Sequence, residues 1–387
     1  MNVEQPLLAL VNGRVLTDHG LQDDVVVLVR DDRIEALVLP GDKRVATAEQ
    51  HDLQGKLLLP GFIDVQVNGG GGLLFNDNPS VETLRGIAAA HRKFGTTGFL
   101  PTLITDTAEV MRAALAAVDA AIDEGVPGVL GIHVEGPFLA PARKGIHDVN
   151  LFRAPDASDI AALTAKHRGV VMMTLAPDRV PLETISQLAA AGVIAAAGHT
   201  AADYDTTRAA LDAGIRGFTH LFNAMTPLGS REPGVVGAAL DDPHSWCGLI
   251  VDGHHVNPIT LRVAIAAKAR GKSVLVTDAM PPVGSDNPMY VLNGQTIVAR
   301  DGVCQSDEGV LAGSALDMAT GVRNLVNMVG LPLAEASRMA SNYPAAWLGL
   351  DRVQGRLVAG QRADFAVLDD GLVVRQTWVG GVAYDVA

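Results

Sequence analysis

Short apolar segments alternate with helical segments through the middle of the chain. One helical pattern over 182–191 follows Pro181 and ends at Gly192, as helices that begin with proline and stop at glycine do. The predicted strands are 58–67, 98–103, 128–134, 170–175, 193–198, 217–222, 248–251 and 274–277. Eight strands that alternate with helices over about 290 residues predict an α/β fold, a (β/α)8 TIM barrel.

The pattern of strands and helices also has a competing interpretation and some less regular segments. An open doubly wound sheet competes with the barrel, but Gly69–Gly72 lacks the G-x-G-x-x-G spacing of its phosphate loop. Thr105 is predicted to cap a helix over 106–123. The sixth repeat has no immediate helix, and we interpret residues 223–243 as a Gly/Pro-rich insertion.

Both chain ends have a different pattern from the middle. Short apolar or β-branched runs are separated there by turn residues, which is typical of antiparallel strands. These runs are 7–16, 24–30, 33–39, 363–368, 372–378 and 382–386. We expect a small, discontinuous β-sandwich domain over 1–57 and 355–387, and a barrel domain over 58–354.

Composition and charge narrow the classes of protein. Hydrophobic residues make up 48% of the chain and charged residues 19%, which is enough apolar side chains for a large buried core. Its net charge of −13 and its lack of a basic run argue against nucleic acid or an anionic membrane as partners. Two cysteines exclude a disulfide framework. The chain start lacks the cationic segment of a signal peptide, and no apolar run reaches the roughly 18 residues of a membrane span, so we expect a cytoplasmic protein.

Four polar residues directly follow predicted strands: Glu135, His199, His220 and Asp278. Barrel enzymes carry their active sites at these strand ends. Two imidazoles and a carboxylate with an open position suit a catalytic divalent metal, typically zinc and also iron or manganese. Singly, each residue has an ordinary explanation, such as helix capping by Asp278. Jointly they favour a metal site that Asp278 faces.

Several sequence blocks extend this pattern. They are His-Val-Glu-Gly-Pro-Phe at 133–138, Lys-Gly-Ile-His at 144–147, His-Leu-Phe-Asn-Ala-Met at 220–225, Arg-Glu-Pro-Gly at 231–234, Asp-Gly-His-His at 252–255, Leu-Val-Thr-Asp-Ala at 275–279 and Leu-Ala-Gly-Ser at 311–314. From about residue 11 to 369 the chain resembles the N-acetylglucosamine-6-phosphate deacetylases of the amidohydrolase superfamily. This resemblance implies hydrolysis of N-acetylglucosamine 6-phosphate to glucosamine 6-phosphate and acetate.

The resemblance also implies roles for individual residues. One divalent ion per subunit, with zinc expected first and iron or manganese as alternatives, would be held by Glu135, His199 and His220. Asp278 would take a proton from water and pass it to the leaving nitrogen, and His147 would lie near the acetyl carbonyl.

The same resemblance implies a set of substrate contacts. Arg231 and His255 would bind the phosphate, and Arg231 would reach the neighbouring subunit's site, which implies a homodimer. The positions that would contact the sugar are Ile146, Asn223, Ala224 and Leu311.

One departure limits the analogy. Many relatives have His-x-His after the first strand, whereas this chain has Gln66-Val67-Asn68. Amides are weak ligands for a divalent transition metal, so we expect one ion. Three alternatives remain: a deacetylase for N-acetylgalactosamine 6-phosphate, another amidohydrolase acting on acyl amino acids, and a non-catalytic scaffold.

Overall fold

The chain divides into two compact units in the computed structural model, which describes residues 6–300, 302–306 and 309–386. The first unit comprises Met1–Ile63, His91–Gly98 and Met318–Ala387. The second comprises Asp64–Ala90 and Phe99–Asp317. Within the described ranges no helix has both the length and the apolar composition needed to cross a bilayer.

A parallel eight-stranded sheet forms a barrel. Its strands follow one another in chain order: Phe62–Val67, Thr96–Ile104, Gly131–Glu135, Val170–Leu175, Ile194–Ala197, Gly217–Phe218, Trp246–Ile250 and Ser273–Val276. Val67 pairs in parallel with Ala279, and the backbone N–H of Asn68 donates to the Ala279 carbonyl at 2.9 Å. The segment that continues the eighth strand therefore meets the first strand and closes the barrel. The strands are buried along almost their whole length, as strands covered on both faces are. The predicted (β/α)8 barrel is therefore confirmed.

A helix follows each of the first seven barrel strands. These helices are Val81–Arg92, Ala108–Asp123, Ala157–Leu163, Leu182–Ala190, Tyr204–Ala213, Gly234–Asp241 and Pro258–Ala267. Short 3-10 turns span Pro141–Arg143 and Val149–Leu151.

Two predictions about these helices are wrong. Thr107, rather than Thr105, caps the second helix, because its side chain accepts from the Val110 amide. The sixth repeat contains the helix Gly234–Asp241, where we expected only an insertion. Residues 234–239 are all buried, so this helix has no polar face and lacks the periodicity that identifies amphipathic helices.

An antiparallel sheet follows the eighth barrel strand and was not predicted. Its strands, Met289–Leu292, Gln295–Arg300, Val303–Ser306 and Leu311–Ser314, pair in chain order, and we call it the meander sheet. The first two strands meet at Asn293-Gly294, where both residues have positive φ, 50° and 74°, as a tight hairpin turn requires. Ile297, Cys304 and Ala312 give the sheet a buried apolar face.

The first compact unit contains two packed sheets. One has the strands Leu8–Val11, Val26–Arg30, Arg33–Val38 and Glu49–Asp52; the other has Arg14–Thr17, Gly20–Gln22, Leu57–Pro60, Phe365–Leu368, Val374–Val379 and Val382–Asp385. Leu10 and Val27 of the first sheet share a buried core with Leu58, Phe365 and Trp378 of the second. A β-sandwich built from both chain ends is therefore confirmed. This unit also contains the helices Lys43–Thr47, Met318–Asn324, Leu325–Val329, Leu333–Ala340 and Asn342–Trp347.

Candidate active site

A cavity of about 430 Å³ lies at the carboxyl ends of the barrel strands. Most of the predicted site residues line it, namely Glu135, Ile146, His147, His199, His220, Asn223, Ala224, His255, Asp278 and Leu311. Arg231 is exposed and does not line this cavity. A cavity of this size suits a small organic substrate.

Three side chains from three strand ends converge on one point. The Glu135 Oε1 atom lies 3.2 Å from His199 Nε2 and 3.0 Å from His220 Nε2, and the two imidazole nitrogens are 3.1 Å apart. Ligand atoms that each lie about 2.1 Å from one tetrahedral ion are separated by about 3.4 Å. Among the residues that the structure describes, this is the one group of three or more His, Cys, Asp or Glu side chains close enough to share an ion.

The partners of these side chains suit metal binding. His199 Nδ1 donates to the Arg143 carbonyl at 2.8 Å, so Nε2 keeps its lone pair for a ligand. His220 Nδ1 is buried and has no hydrogen-bond partner among the described residues. Burial opposes ionisation of Glu135, but the close contacts of its Oε1 with the His199 and His220 imidazoles outweigh burial and hold the pKa of this carboxyl well below its usual range. A buried carboxylate beside two imidazoles is a set of ligands that suits a divalent cation.

The backbone at the site adopts an uncommon conformation. His199, His220 and Asp278 have φ values of 47°, 33° and 54°, in the left-handed region that side chains other than glycine seldom occupy. Each such residue costs of order 1 kcal/mol, which is tolerated where the surrounding structure fixes the conformation. Strand-end turns of this kind aim the three side chains into the cavity rather than along the strands.

Asp278 lies beside the proposed metal ligands and is held by amide donors. Asn68 Nδ2 donates to Asp278 Oδ1 at 2.6 Å, and Gln66 Nε2 donates to the same oxygen at 3.2 Å. Burial, followed by the negative charge of Glu135, raises the pKa of Asp278 from 3.8 to about 6. A carboxyl group with a pKa near neutrality is suited to accept and return a proton.

His147 is a neutral hydrogen-bond donor at the edge of the cavity. The Thr105 backbone amide donates to His147 Nδ1 at 3.3 Å, so Nδ1 is the unprotonated ring nitrogen and Nε2 carries the hydrogen. Burial, and then the nearby His199 ring, lower the pKa of His147 from 6.5 to about 3. The Nε2–H group can therefore donate to a substrate oxygen without adding charge.

A second acid–base pair lies at the end of the seventh strand. His255 Nδ1 contacts Asp252 Oδ2 at 2.6 Å, and Asp252 Oδ1 accepts from the backbone amides of His254 and His255. The carboxylate fixes the orientation of the His255 ring. The predicted site does not include Asp252, although its three-residue spacing from His255 is the signal that indicates this contact.

The loop from Ala140 to His147 forms one wall of the cavity, and we call it the wall loop. It is attached to His199 at two points, since the Ala140 amide donates to the His199 carbonyl at 2.9 Å and the Arg143 carbonyl accepts from the ring. Gly145 has φ +56°, and a Cβ there would lie 3.2 Å from the His199 ring. Arg143 and Lys144 line the cavity and were not predicted as site residues.

Comparisons with known proteins agree with this geometry. The amidohydrolase family matches residues 57–383 of the chain. The N-acetylgalactosamine-6-phosphate deacetylase of Shewanella sp. (strain ANA-3) is 42% identical, and the match covers 97% of this chain and 95% of that protein. The N-acetylglucosamine-6-phosphate deacetylase of Haemophilus influenzae is 36% identical, with 96% and 98% covered.

A solved structure extends the similarity to three dimensions. The crystal structure of N-acetylglucosamine-6-phosphate deacetylase from Pasteurella multocida has a TM-score of 0.94 to this chain at 35% identity, and covers 98% of this chain and 100% of its own. The sequence similarity and the shared fold both extend over nearly the whole length. The chain therefore belongs to the amidohydrolase family.

Proposed function

We propose that the chain removes the acetyl group from N-acetylglucosamine 6-phosphate by hydrolysis, producing acetate and glucosamine 6-phosphate. The observation that carries this proposal is the convergence of Glu135, His199 and His220 beside Asp278 in one cavity. An amide resists hydrolysis because its carbonyl is resonance-stabilised and its nitrogen leaves poorly. A catalyst must activate water, polarise the carbonyl and protonate the nitrogen.

Glu135, His199 and His220 would hold one divalent ion per subunit, with zinc as the first candidate and iron or manganese as alternatives. Such an ion, when bound, supplies Lewis acidity and makes water more acidic. Gln66 and Asn68 offer amide groups where many relatives have imidazoles, which supports a single ion.

Asp278 would be the group that moves the proton. Its carboxylate accepts a proton from water as the water oxygen bonds to the acetyl carbon, and it then delivers that proton to the sugar nitrogen as the carbon–nitrogen bond breaks. His147 would donate its Nε2–H to the carbonyl oxygen, where negative charge develops. The products are acetate and the amino sugar, so atoms and charge balance.

Cationic groups or N–H donors would recognise the phosphate. His255 lines the cavity with its ring fixed by Asp252, and Ile146, Asn223, Ala224 and Leu311 line the same cavity, where a sugar would lie. Arg231 lies outside its own chain's cavity. We therefore propose a homodimer in which Arg231 grips the phosphate in the partner's cavity, where its guanidinium can donate two parallel hydrogen bonds.

A second candidate substrate is the C4 epimer, N-acetylgalactosamine 6-phosphate. The observation that favours it is the 42% identity to a relative named for this substrate, against 36% for a relative named for the gluco epimer. Acyl amino acids are less well supported, since they offer no phosphate for Arg231 and His255 to bind. A non-catalytic scaffold is less well supported, since Glu135, His199, His220 and Asp278 all line one cavity.

Acetate release would test these proposals directly. The purified chain, loaded with zinc, iron or manganese in turn, would be assayed with both epimeric sugar phosphates, unphosphorylated N-acetylglucosamine and an N-acetyl amino acid. We expect hydrolysis of a sugar phosphate at a kcat/KM well above that of the unphosphorylated sugar. The Glu135→Gln variant is the matched inactive control. Hydrolysis of only the acyl amino acid, or of nothing, would reject the proposed function.

A further inference from the structure

Two amide side chains at the end of the first barrel strand face the same way. Gln66 and Asn68 are two residues apart on an extended chain, so their side chains share the inner face. They are 2% and 1% exposed, respectively. Backbone bonds fix both against the last strand's continuation, because the Gln66 carbonyl accepts from the Asp278 amide at 3.0 Å and the Asn68 amide donates to Ala279.

These amides contact both carboxylates of the site. Gln66 Nε2 uses its two hydrogens on different partners, Glu135 Oε2 at 3.1 Å and Asp278 Oδ1 at 3.2 Å. Asn68 Nδ2 adds a second donor to Asp278 Oδ1 at 2.6 Å. One neutral amide group therefore bridges a metal-ligand candidate and the candidate base.

The hydrogen bonds divide each carboxylate into two unequal oxygens. Glu135 presents Oε1 to the imidazoles of His199 and His220, while Oε2 is occupied by Gln66. Asp278 Oδ1 receives two amide donors, whereas no donor from the described residues bonds to Oδ2. The terminal torsion of an aspartate side chain is broad and roughly two-fold, so hydrogen bonds rather than rotamer preference set which oxygen faces the reaction.

We propose that Gln66 and Asn68 are positioning residues that act through Asp278. They hold this carboxylate by Oδ1, so that Oδ2 exchanges the proton with water and the leaving nitrogen, and Gln66 keeps Glu135 with Oε1 alone toward the ion. The inference rests on the proposed function. It explains why the first strand carries amides: they tether two neighbouring carboxylates without adding a charge that would compete with the ion.

Isosteric apolar substitutions test the proposal. In Asn68→Leu and Gln66→Met, we expect kcat for the sugar phosphate to fall about 10- to 100-fold, the cost of losing a hydrogen bond to a charged group. KM should stay within about threefold of the wild type, since neither amide is assigned to the substrate. Ion content should stay near one per chain in Asn68→Leu, since the Asn68 side chain donates to Asp278 and to none of the proposed ligands. Gln361→Met is the matched control, because Gln361 is equally buried but binds Arg356 and Asp351 in the first compact unit.

A double-variant cycle separates positioning from general damage to the fold. If Asn68 acts through Asp278, adding Asn68→Leu to Asp278→Asn should lower the residual rate by less than about twofold. The proposal would be overturned if the rate losses of the two single variants multiplied in the double variant. It would also be overturned by a kcat within threefold of the wild type in both Asn68→Leu and Gln66→Met, or by a rise in KM that accounts for the whole effect. Asn68→Ala replaces Asn68→Leu if the larger side chain prevents folding.

A crystal structure of the Asn68→Leu variant provides a test that does not depend on activity. We expect the Asp278 carboxylate to rotate or to occupy two orientations, and an unchanged single orientation would contradict the proposal. An inactive wild-type enzyme would reject the proposed function, whereas this structure would still decide whether the amides orient Asp278.

Discussion

Asp64 offers a stability prediction, because it is a fully buried carboxyl inside the barrel. Its Oδ1 accepts from the backbone amides of Gln66 at 3.1 Å and Thr277 at 3.3 Å, and its Oδ2 accepts from Thr277 Oγ1 at 2.5 Å. Burial outweighs these bonds and raises the pKa of Asp64 from 3.8 to about 7. The folded protein therefore holds a proton that the unfolded chain releases at lower pH.

The sign and size of the effect follow from linkage. Between about pH 4 and 7 Asp64 binds fewer protons in the unfolded chain than in the folded chain, so its contribution to the free energy of unfolding decreases as pH rises through this interval. At about 1.4 kcal/mol for each pH unit, the interval of about three units corresponds to about 4 kcal/mol of stability that is present at low pH and lost above pH 7.

Asp64→Asn should remove this penalty with little change in contacts. The asparagine oxygen can accept from both backbone amides, and its Nδ2 can donate to Thr277 Oγ1. The Thr277 hydroxyl can then donate to the Gln66 carbonyl, which already lies 3.3 Å away. The variant should therefore gain stability over the wild type as pH rises.

Urea unfolding of the ion-free protein at about pH 5 and about pH 8 measures this gain. The free energy of unfolding of the variant minus that of the wild type should increase by about 3 kcal/mol between the two values. Asp23→Asn, at an exposed carboxyl, controls for the lost negative charge. A difference that stays constant with pH, or one that falls, would refute the reasoning.

Three further predictions concern the reaction. Asp278→Asn keeps the shape but removes the proton acceptor, so kcat should fall by about 10²- to 10⁴-fold with ion content unchanged; an unchanged rate would reject Asp278 as the base. Metal analysis of purified protein should give close to one tight divalent ion per chain, and two stoichiometric ions would contradict the argument from Gln66 and Asn68. Arg231→Ala should raise KM for the phosphorylated sugar far more than for the unphosphorylated one, and equal effects in paired kinetic assays would remove its phosphate role.

The order of the barrel strands could be predicted because each strand is an apolar run bounded by turn residues. The helix Gly234–Asp241 could not be predicted, since its first six residues are all buried and show no periodic pattern. The meander sheet was missed for a different reason. Asn293-Gly294 between two apolar runs is a strong hairpin signal, and it indicates the turn between the first two strands of this sheet.

The sequence was enough to predict which residues lie close together in the site, because the carboxyl ends of parallel strands converge at one end of a barrel. Glu135, His199, His220 and Asp278 line one cavity as expected. Their hydrogen bonds were not predictable. The left-handed backbone at three of these residues arises from the surrounding packing, and residue type alone does not indicate it.

Contacts between residues far apart in the sequence could likewise not be predicted. The sequence shows that Gln66 and Asn68 share a face, but it does not show which carboxylate oxygen they occupy. The ring nitrogen of His147 that keeps its hydrogen depends on the Thr105 backbone amide, 42 residues away along the chain.

The wall loop has a consequence for how the protein responds to its ligands. The carbonyl of Arg143 orients the His199 ring, and the same short segment continues into Ile146 and His147, which face the bound sugar in the proposed complex. In the proposed complex, binding of the cation and ordering of the wall loop would be coupled through the Arg143 carbonyl, and such coupling is reciprocal. Chelation should expose this segment to proteases, and a tightly bound substrate analogue should lower the equilibrium dissociation constant of the cation by the same factor by which the cation tightens the analogue.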